Sequence, residues 1–192
     1  MAKYFILGIG SKLYKKIKMP GMKGCSTQEF FSGYPKISEE ETIVVFSLLN
    51  KQQLIQLSNM YLNNIIVVGS SAAISKLANR FNYSKLKKKQ LETIKHINRN
   101  NIKYLIFGEF YPSSIRKGLY YFTSPDSFWR YCFDANSSNN AVLHCYEIKG
   151  NISKLTNFLS KIDLIFAPIS SYILKTFTSY TYGYVNAANK EE

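Results

Sequence analysis

Short apolar runs recur along the chain and alternate with segments whose apolar positions follow helical spacing. Such runs fit strands that are buried on both faces of a sheet. The pattern predicts strands over residues 4–8, 42–48, 65–68, 103–107 and 141–148. It predicts helices over residues 12–18, 51–62, 79–98 and 152–162. Residues 19–42 contain Gly, Pro, Ser and an acidic cluster, and we expect mostly loop there.

This alternation of strands and helices predicts an α/β protein with a Rossmann-like parallel sheet and helices on both faces. The length of 192 residues favours one domain over the whole chain. In such sheets, ligands bind beyond the carboxyl ends of the strands. Gly8, Ser70, Ser71 and Gly108 all lie at predicted carboxyl ends.

Composition narrows the class of protein without naming a function. The chain carries 25 Lys and Arg against 12 Asp and Glu, a net charge of +13. This charge attracts polyanions such as nucleic acid or anionic lipid, but no nucleic-acid-binding motif is present, so a nucleic-acid partner is not expected. No run is long enough to span a membrane. We do not expect residues 1–17 to be a signal peptide, because lysines follow the short apolar run instead of a small-residue cleavage site. Three widely spaced cysteines fit free thiols in a reducing cytoplasm.

The segment 69–87, GSSAAISKLANRFNYSKLK, combines residue types that suit proton transfer. Tyr83 and Lys87 are four residues apart, so they share one face of the predicted helix. A nearby ammonium stabilises a phenolate, which prepares the tyrosine to give or take a proton. A serine at the end of the preceding strand, Ser71 or alternatively Ser70, suits a hydrogen bond to a substrate oxygen.

The spacing of Ser71, Tyr83 and Lys87 resembles the signature of the short-chain dehydrogenase/reductases, which is Ser, about a dozen residues, then Tyr-x-x-x-Lys. The resemblance implies a catalytic tyrosine with Lys87 as its activator, Ser71 as the oxygen anchor and NAD or NADP as hydride carrier. The segment LIFGEFYP, with Gly108 and Tyr111, is similar to the extended branch of the family. That branch includes many nucleotide-sugar epimerases and reductases, so residues 113–192 would contribute a substrate- or partner-binding part.

The sequence departs from the family in its nucleotide-binding region. The first predicted turn keeps Gly8 and Gly10 of the family's Gly-rich fingerprint, and Ser11 and Lys12 complete the predicted cofactor-binding positions. The two βα units that normally follow are reduced to residues 19–42. We therefore expect a shortened fold that lacks some βα units.

Three functions stay open from the sequence. The first is an NAD(P)-dependent oxidoreductase or epimerase that acts on a nucleotide sugar or related carbonyl compound in surface-polysaccharide synthesis. The second is a catalytically degenerate relative that serves as a binding or partner subunit. The third is a basic module that binds an anionic polymer or membrane. A homodimer and contact of the aromatic tail (residues 163–184) with a membrane surface are further expectations, and no metal is expected.

Overall fold

The computed structural model describes residues 3–74, 82–97, 99–110, 121–123, 125–145 and 147–148. Their strands form two sheets. The larger has six strands in the order β2-β1-β3-β4-β5-β8, and the smaller has three in the order β6-β7-β9. The strands are β1 (Lys3–Leu7), β2 (Lys23–Cys25), β3 (Glu41–Val45), β4 (Ile65–Val68), β5 (Ile102–Phe107), β6 (Glu109–Phe110), β7 (Tyr121–Thr123), β8 (Val142–Cys145) and β9 (Glu147–Ile148).

The centre of the larger sheet is a buried parallel array, which confirms the predicted α/β fold class. Strands β1, β3, β4 and β5 pair in parallel, with Leu7 opposite Val45 and Val68 opposite Leu105. Nearly every residue of these strands is buried, because helices cover the sheet on both faces.

The helices are α1 (Lys12–Ile17), α2 (Thr27–Gly33), α3 (Lys51–Met60), α4 (Asn82–Ile97) and α5 (Pro125–Asn136). Adjacent residues of β1 show how these helices divide between the two faces. The ring of Tyr4 lies 5.0 Å from Trp129 of α5, whereas the ring of Phe5 lies 6.3 Å from Phe30 of α2. Because successive side chains of a strand point to opposite faces, α5 and α2 cover opposite sides of the sheet.

The prediction of mostly loop over residues 19–42 was wrong. This segment contains β2, which pairs in parallel with β1, and the seven-residue helix α2. A capping box begins α2: the backbone N–H of Glu29 donates to Ser26 Oγ, and the Glu29 carboxylate accepts from the backbone N–H of Ser26. This segment therefore contains one compact βα unit, which the sequence pattern did not predict.

The predicted strand over residues 141–148 is two strands in different sheets. β8 lies at the edge of the larger sheet beside β5, and β9 pairs antiparallel with β7 in the smaller sheet. The sequence pattern also missed α5. Polar contacts hold this helix in place: Trp129 Nε1 donates to the carbonyl of Ile17, and the buried ammonium of Lys103 donates to the carbonyls of Ala135 and Asn136 at the end of α5.

The chain clusters into two compact units. The first contains residues up to 68, with 92–105 and 125–143, and the second contains the described residues among 69–91, 106–124 and 144–148. The first unit carries most of the larger sheet, and the second carries the smaller sheet. The predicted helix over 152–162 and most of the predicted substrate-binding part, 113–192, lie outside the described residues, so that assignment stays a prediction.

Candidate functional site

The segment that follows β4 carries the predicted catalytic residues. Ser70 and Ser71 come directly after the buried strand, and Ser71 opens a short 3₁₀ turn, Ser71–Ile74. The backbone N–H of Ala73 donates to the carbonyl of Ser70, and the Ser71 side chain is buried. Residues 75–81, between this turn and α4, lie outside the described residues. Ser71 stays the predicted oxygen anchor, with Ser70 as its alternative.

Helix α4 brings Tyr83 and Lys87 together. The Lys87 ammonium nitrogen lies 5.9 Å from the centroid of the Tyr83 ring, a cation–π distance. The i, i+4 spacing produces this contact because one helical turn returns the chain to the same face. The pair expected from the sequence is therefore present as a pair in the folded helix.

The burial of Lys87 is unusual for a lysine. Its exposed fraction is 4%, whereas the neighbouring Lys85 and Lys89 are exposed. Its ammonium donates to the side-chain oxygen of Gln90 over 3.4 Å. Burial lowers the pKa of Lys87 to about 8, because desolvation penalises the charged form. At neutral pH the ammonium still predominates, so the helix presents a buried positive charge beside a phenol.

Two further polar side chains share the buried face of α4 with Lys87, and the sequence analysis did not select them. Ser84 is 1% exposed and Gln90 is 2% exposed. Within the described part of the chain, the Ser84 hydroxyl is a buried polar group without a hydrogen-bond partner. The signal for them was in the sequence: Ser84, Lys87 and Gln90 recur every three residues, on the side of the helix that also carries buried Leu91 and Ile94.

The predicted cofactor loop lies at the point where the order of the parallel strands reverses. Strand β1 has β2 on one side and β3 on the other, and ligands of open α/β sheets bind at such switch points. The backbone N–H of Ser11 donates to the carbonyl of Gly8 over 3.0 Å and closes a tight turn. Lys12 then begins α1 with an exposed side chain.

The two glycines of this loop have different surroundings. Gly8 has a φ of +97°, and a Cβ atom there would collide with Ser47 Oγ, which itself accepts from Thr27 Oγ1 over 2.6 Å. The positive φ and the contact with Ser47 therefore both require a glycine at position 8. A Cβ atom at Gly10 would meet nothing within 4 Å, so the backbone of Gly10 is open to an approaching group.

The structure describes only part of the second motif, LIFGEFYP (residues 105–112). The backbone N–H of Gly108, directly after β5, donates to Thr123 Oγ1 over 3.0 Å, and that hydroxyl donates to the carbonyl of Cys145 over 2.7 Å. Gly108 thus connects β5 to the smaller sheet. Tyr111 and residues 113–116 lie outside the described residues.

Other candidate chemistries find little support in the described part of the chain. Cys25, Cys132 and Cys145 are free thiols, as predicted. No group of three or more His, Cys, Asp or Glu side chains in the described ranges could hold a metal ion. No helix among the same residues is long and apolar enough to cross a membrane.

Comparison with known proteins adds one structural relative. No family model and no curated protein matches the sequence. Among solved structures, the chain is similar to the capsular polysaccharide assembling protein CapF from Staphylococcus aureus, with a TM-score of 0.50 and 11% identity. The match covers 88% of this chain and 59% of CapF, so the chain spans less than two thirds of that protein. At this identity the likeness shows the fold alone.

Proposed function

We propose that the protein is an oxidoreductase or epimerase of the short-chain dehydrogenase type, acting with NAD or NADP on a nucleotide sugar or a related carbonyl compound. The observation that carries the proposal is the Tyr83–Lys87 pair, a phenol 5.9 Å from a buried ammonium on one helix face. A buried cation acts on a neighbouring phenol more strongly than a solvated one, because little water screens it. Such a pair suits proton transfer at neutral pH.

Each predicted residue has a role in this chemistry. The Tyr83 hydroxyl gives its proton to the substrate oxygen in reduction and takes it back in oxidation. Lys87 stabilises the phenolate left after the proton has gone, and the Ser71 hydroxyl donates a hydrogen bond to the same substrate oxygen. The nicotinamide, when bound, supplies or accepts the hydride.

The residues at the switch point fit a phosphate-bearing cofactor in part. Gly10 leaves its backbone open, and Ser11 and Lys12 offer a hydroxyl and a positive charge beside it. The face of Gly8 is filled by Ser47, so the phosphates would contact the loop from Gly10 onward.

The biological setting is inferred from the structural relative. CapF is named as a capsular polysaccharide assembling protein, and the two chains share a fold. A role in surface-polysaccharide synthesis is therefore the setting that we propose, with a nucleotide sugar as the substrate class.

A second candidate is a relative that keeps this fold without catalysis. Two observations favour it: among the described residues the sheet ends at the three-residue strand β2 beyond β1, and Ser47 occupies the space at Gly8. The adenosine half of a dinucleotide would then have little of the sheet beneath it. This candidate predicts that neither NAD(H) nor NADP(H) binds.

Turnover in a panel of nucleotide sugars and keto sugars tests the proposal, with each reduced and oxidised cofactor supplied. We expect Tyr83→Phe to reduce turnover by roughly 100-fold or more, because the proton donor is lost. Tyr34→Phe is the matched control, since Tyr34, at the end of α2, is exposed and its hydroxyl accepts from Gln56 of α3. Full activity of Tyr83→Phe would remove Tyr83 from the mechanism, and a panel without turnover would favour the degenerate relative.

A further inference from the structure

A groove in the first compact unit is lined by α3, by the last turns of α4 and by Arg99 beyond its end. Its volume is about 380 Å³, within the roughly 300–1,000 Å³ typical of small-molecule sites. The side chains that line it are Lys51, Ile55, Ser58, Asn59, Thr93, His96, Ile97 and Arg99. None of the predicted catalytic or cofactor residues is among them.

The described residues that line the groove are cationic or neutral, and none of them is acidic. Lys51 and Arg99 carry positive charges, and no Asp or Glu occurs in residues 51–64 or 93–108. The acidic residue of α4, Glu92, is exposed and is not among the lining residues. No carboxylate of these segments therefore neutralises the groove.

The donors of the groove are held in place but are not used up. Arg99 Nη1 donates to the carbonyl of Ser58 over 2.6 Å, which fixes the guanidinium beside α3 and leaves its other N–H groups available. His96 Nδ1 lies 2.6 Å from the carbonyl of Glu92. A carbonyl can only accept, so Nδ1 carries the hydrogen; Nε2 is then an acceptor in the neutral ring and donates to a phosphate only when the imidazole is protonated.

The lining combines charge and neutral polarity in a way that suits phosphate. A guanidinium gives paired N–H donors that match phosphate oxygens, and a lysine adds a point charge. The Asn59 amide adds a neutral donor, and Ile55 and Ile97 give the groove apolar walls. A carboxylate ligand would use fewer of these donors than a phosphate does.

From these observations we infer that the α3–α4 groove is a binding site for a phosphate group of a small molecule, with Lys51 and Arg99 as its charged ligands. The site is separate from the Tyr83–Lys87 pair. Tyr83 is the second residue of α4, whereas the groove is lined by residues of the last turns of that helix, so the pair and the groove share no side chain. The inference does not depend on the proposed catalytic function.

Titration of the full chain with inorganic pyrophosphate at physiological salt tests the inference. The readouts are calorimetry and the amide NMR signals of residues 51–59 and 93–99. We expect saturable binding that Lys51→Gln weakens by about tenfold, since one charge-assisted phosphate contact is lost. Lys51 is exposed, so this variant should fold normally.

Two variants with the same loss of charge separate this site from others. Lys95→Gln removes an exposed charge of α4 that does not line the groove, and Lys12→Gln removes the charge at the predicted cofactor loop. Lys95→Gln should bind pyrophosphate as the wild type does. Lys12→Gln should leave the titration of the amide signals of residues 51–59 and 93–99 unchanged, because those signals report the groove and not the cofactor loop. Absence of saturable binding would overturn the inference, as would equal weakening by all three variants or weakening by Lys12→Gln alone.

A second arm distinguishes a free phosphate compound from a lipid headgroup. Phosphatidylcholine vesicles with and without phosphatidic acid replace pyrophosphate in a flotation assay. We expect soluble pyrophosphate to bind and the vesicles not to retain the protein through Lys51. Retention by phosphatidic acid that is lost in Lys51→Gln, without binding of pyrophosphate, would overturn the soluble ligand and assign the site to a headgroup.

Discussion

The Lys87 ammonium lies 5.9 Å from the centroid of the Tyr83 ring, on a face of α4 that is closed to solvent at Lys87. The same face carries the hydroxyl of Ser84 and the amide of Gln90, both buried. A helix face in a core is ordinarily apolar, because burial of polar groups costs free energy. We therefore expect the buried polar groups of α4 to lower the stability of the fold, as polar groups at functional sites often do.

The buried charge of Lys87 should make stability depend on pH. We predict that Lys87→Met raises the free energy of unfolding at about pH 7 by about 1–3 kcal/mol, because the folded protein no longer holds a desolvated ammonium. The unfolded chain keeps the Lys87 proton up to its ordinary pKa of 10.5, whereas burial lowers the pKa in the folded protein to about 8. Between these values the unfolded state binds more protons, so wild-type stability rises with pH.

The advantage of Lys87→Met should therefore be full below about pH 8 and absent above about pH 10.5. Urea unfolding of both proteins across this range measures it. Lys95→Met is the control, since Lys95 is exposed on the same helix. An advantage that stays constant with pH would contradict the origin of the effect in the Lys87 charge.

The Ser84 hydroxyl should contribute nothing to folding. We predict that Ser84→Ala either raises the free energy of unfolding or lowers it by no more than about 0.5 kcal/mol. The reason is that desolvation of a buried hydroxyl costs free energy that no hydrogen bond of Ser84 offsets. Ser58→Ala is the comparison: Ser58 is equally buried, but its hydroxyl donates to the carbonyl of Ile55 over 2.9 Å. A loss in Ser84→Ala as large as the loss in Ser58→Ala would show that Ser84 has a structural partner.

Gly8 and Gly10 should respond differently to alanine. Gly8→Ala should lower the free energy of unfolding by about 1–3 kcal/mol, because the residue has a φ of +97° and its Cβ atom would collide with Ser47. Gly10→Ala should change it by less than about 0.5 kcal/mol, since the new methyl group meets nothing within 4 Å. Thermal and urea unfolding measure both. Equal effects would mean that Ser47 does not restrict Gly8.

Burial lowers the pKa of both Lys103 and Lys87, but Lys103 should differ in its effect on stability because its ammonium caps a helix. Its ammonium donates to the carbonyls of Ala135 and Asn136, the last residues of α5, which are carbonyls that a helix leaves unpaired. We predict that Lys103→Met lowers the free energy of unfolding by about 1–3 kcal/mol. Lys3→Met, which removes an exposed ion pair with Glu40, should change it by less than about 0.5 kcal/mol. A neutral Lys103→Met would show that the cap does not stabilise α5.

The parallel sheet could be predicted from the sequence because its central strands are continuous apolar runs. The strand β2 could not be found in this way, since its residues Lys23, Gly24 and Cys25 are largely exposed and lack an apolar run. The reason for a glycine in this strand is evident only from the structure, where a Cβ atom at Gly24 would collide with the backbone of Ile6. The start of α2 has a recognisable sequence signal, Ser26 followed three residues later by Glu29. The Gly, Pro and Ser residues of 19–42 nevertheless favoured a loop, so the helix was not predicted.

The sequence predicted the contact between Tyr83 and Lys87 but not the burial of Lys87. The i, i+4 spacing of Tyr83 and Lys87 predicted their contact, which the structure contains. The four lysines of residues 85–89 suggested a solvated stripe, whereas the burial of Lys87 is a tertiary property that the spacing of residues along the helix does not give. The basic groove between α3 and α4 was likewise out of reach, because its lining comes from segments about 40 residues apart.

Titration of the purified protein with NADH and NADPH tests the proposed function most directly. Cofactor fluorescence and thermal stability are the readouts, with Lys12→Gln and Lys95→Gln alongside. The proposal predicts saturable binding of one cofactor, weakened by Lys12→Gln and unchanged by Lys95→Gln. Binding of neither cofactor, in reduced or oxidised form, would contradict it and leave the Tyr83–Lys87 pair as a feature of a fold without this chemistry.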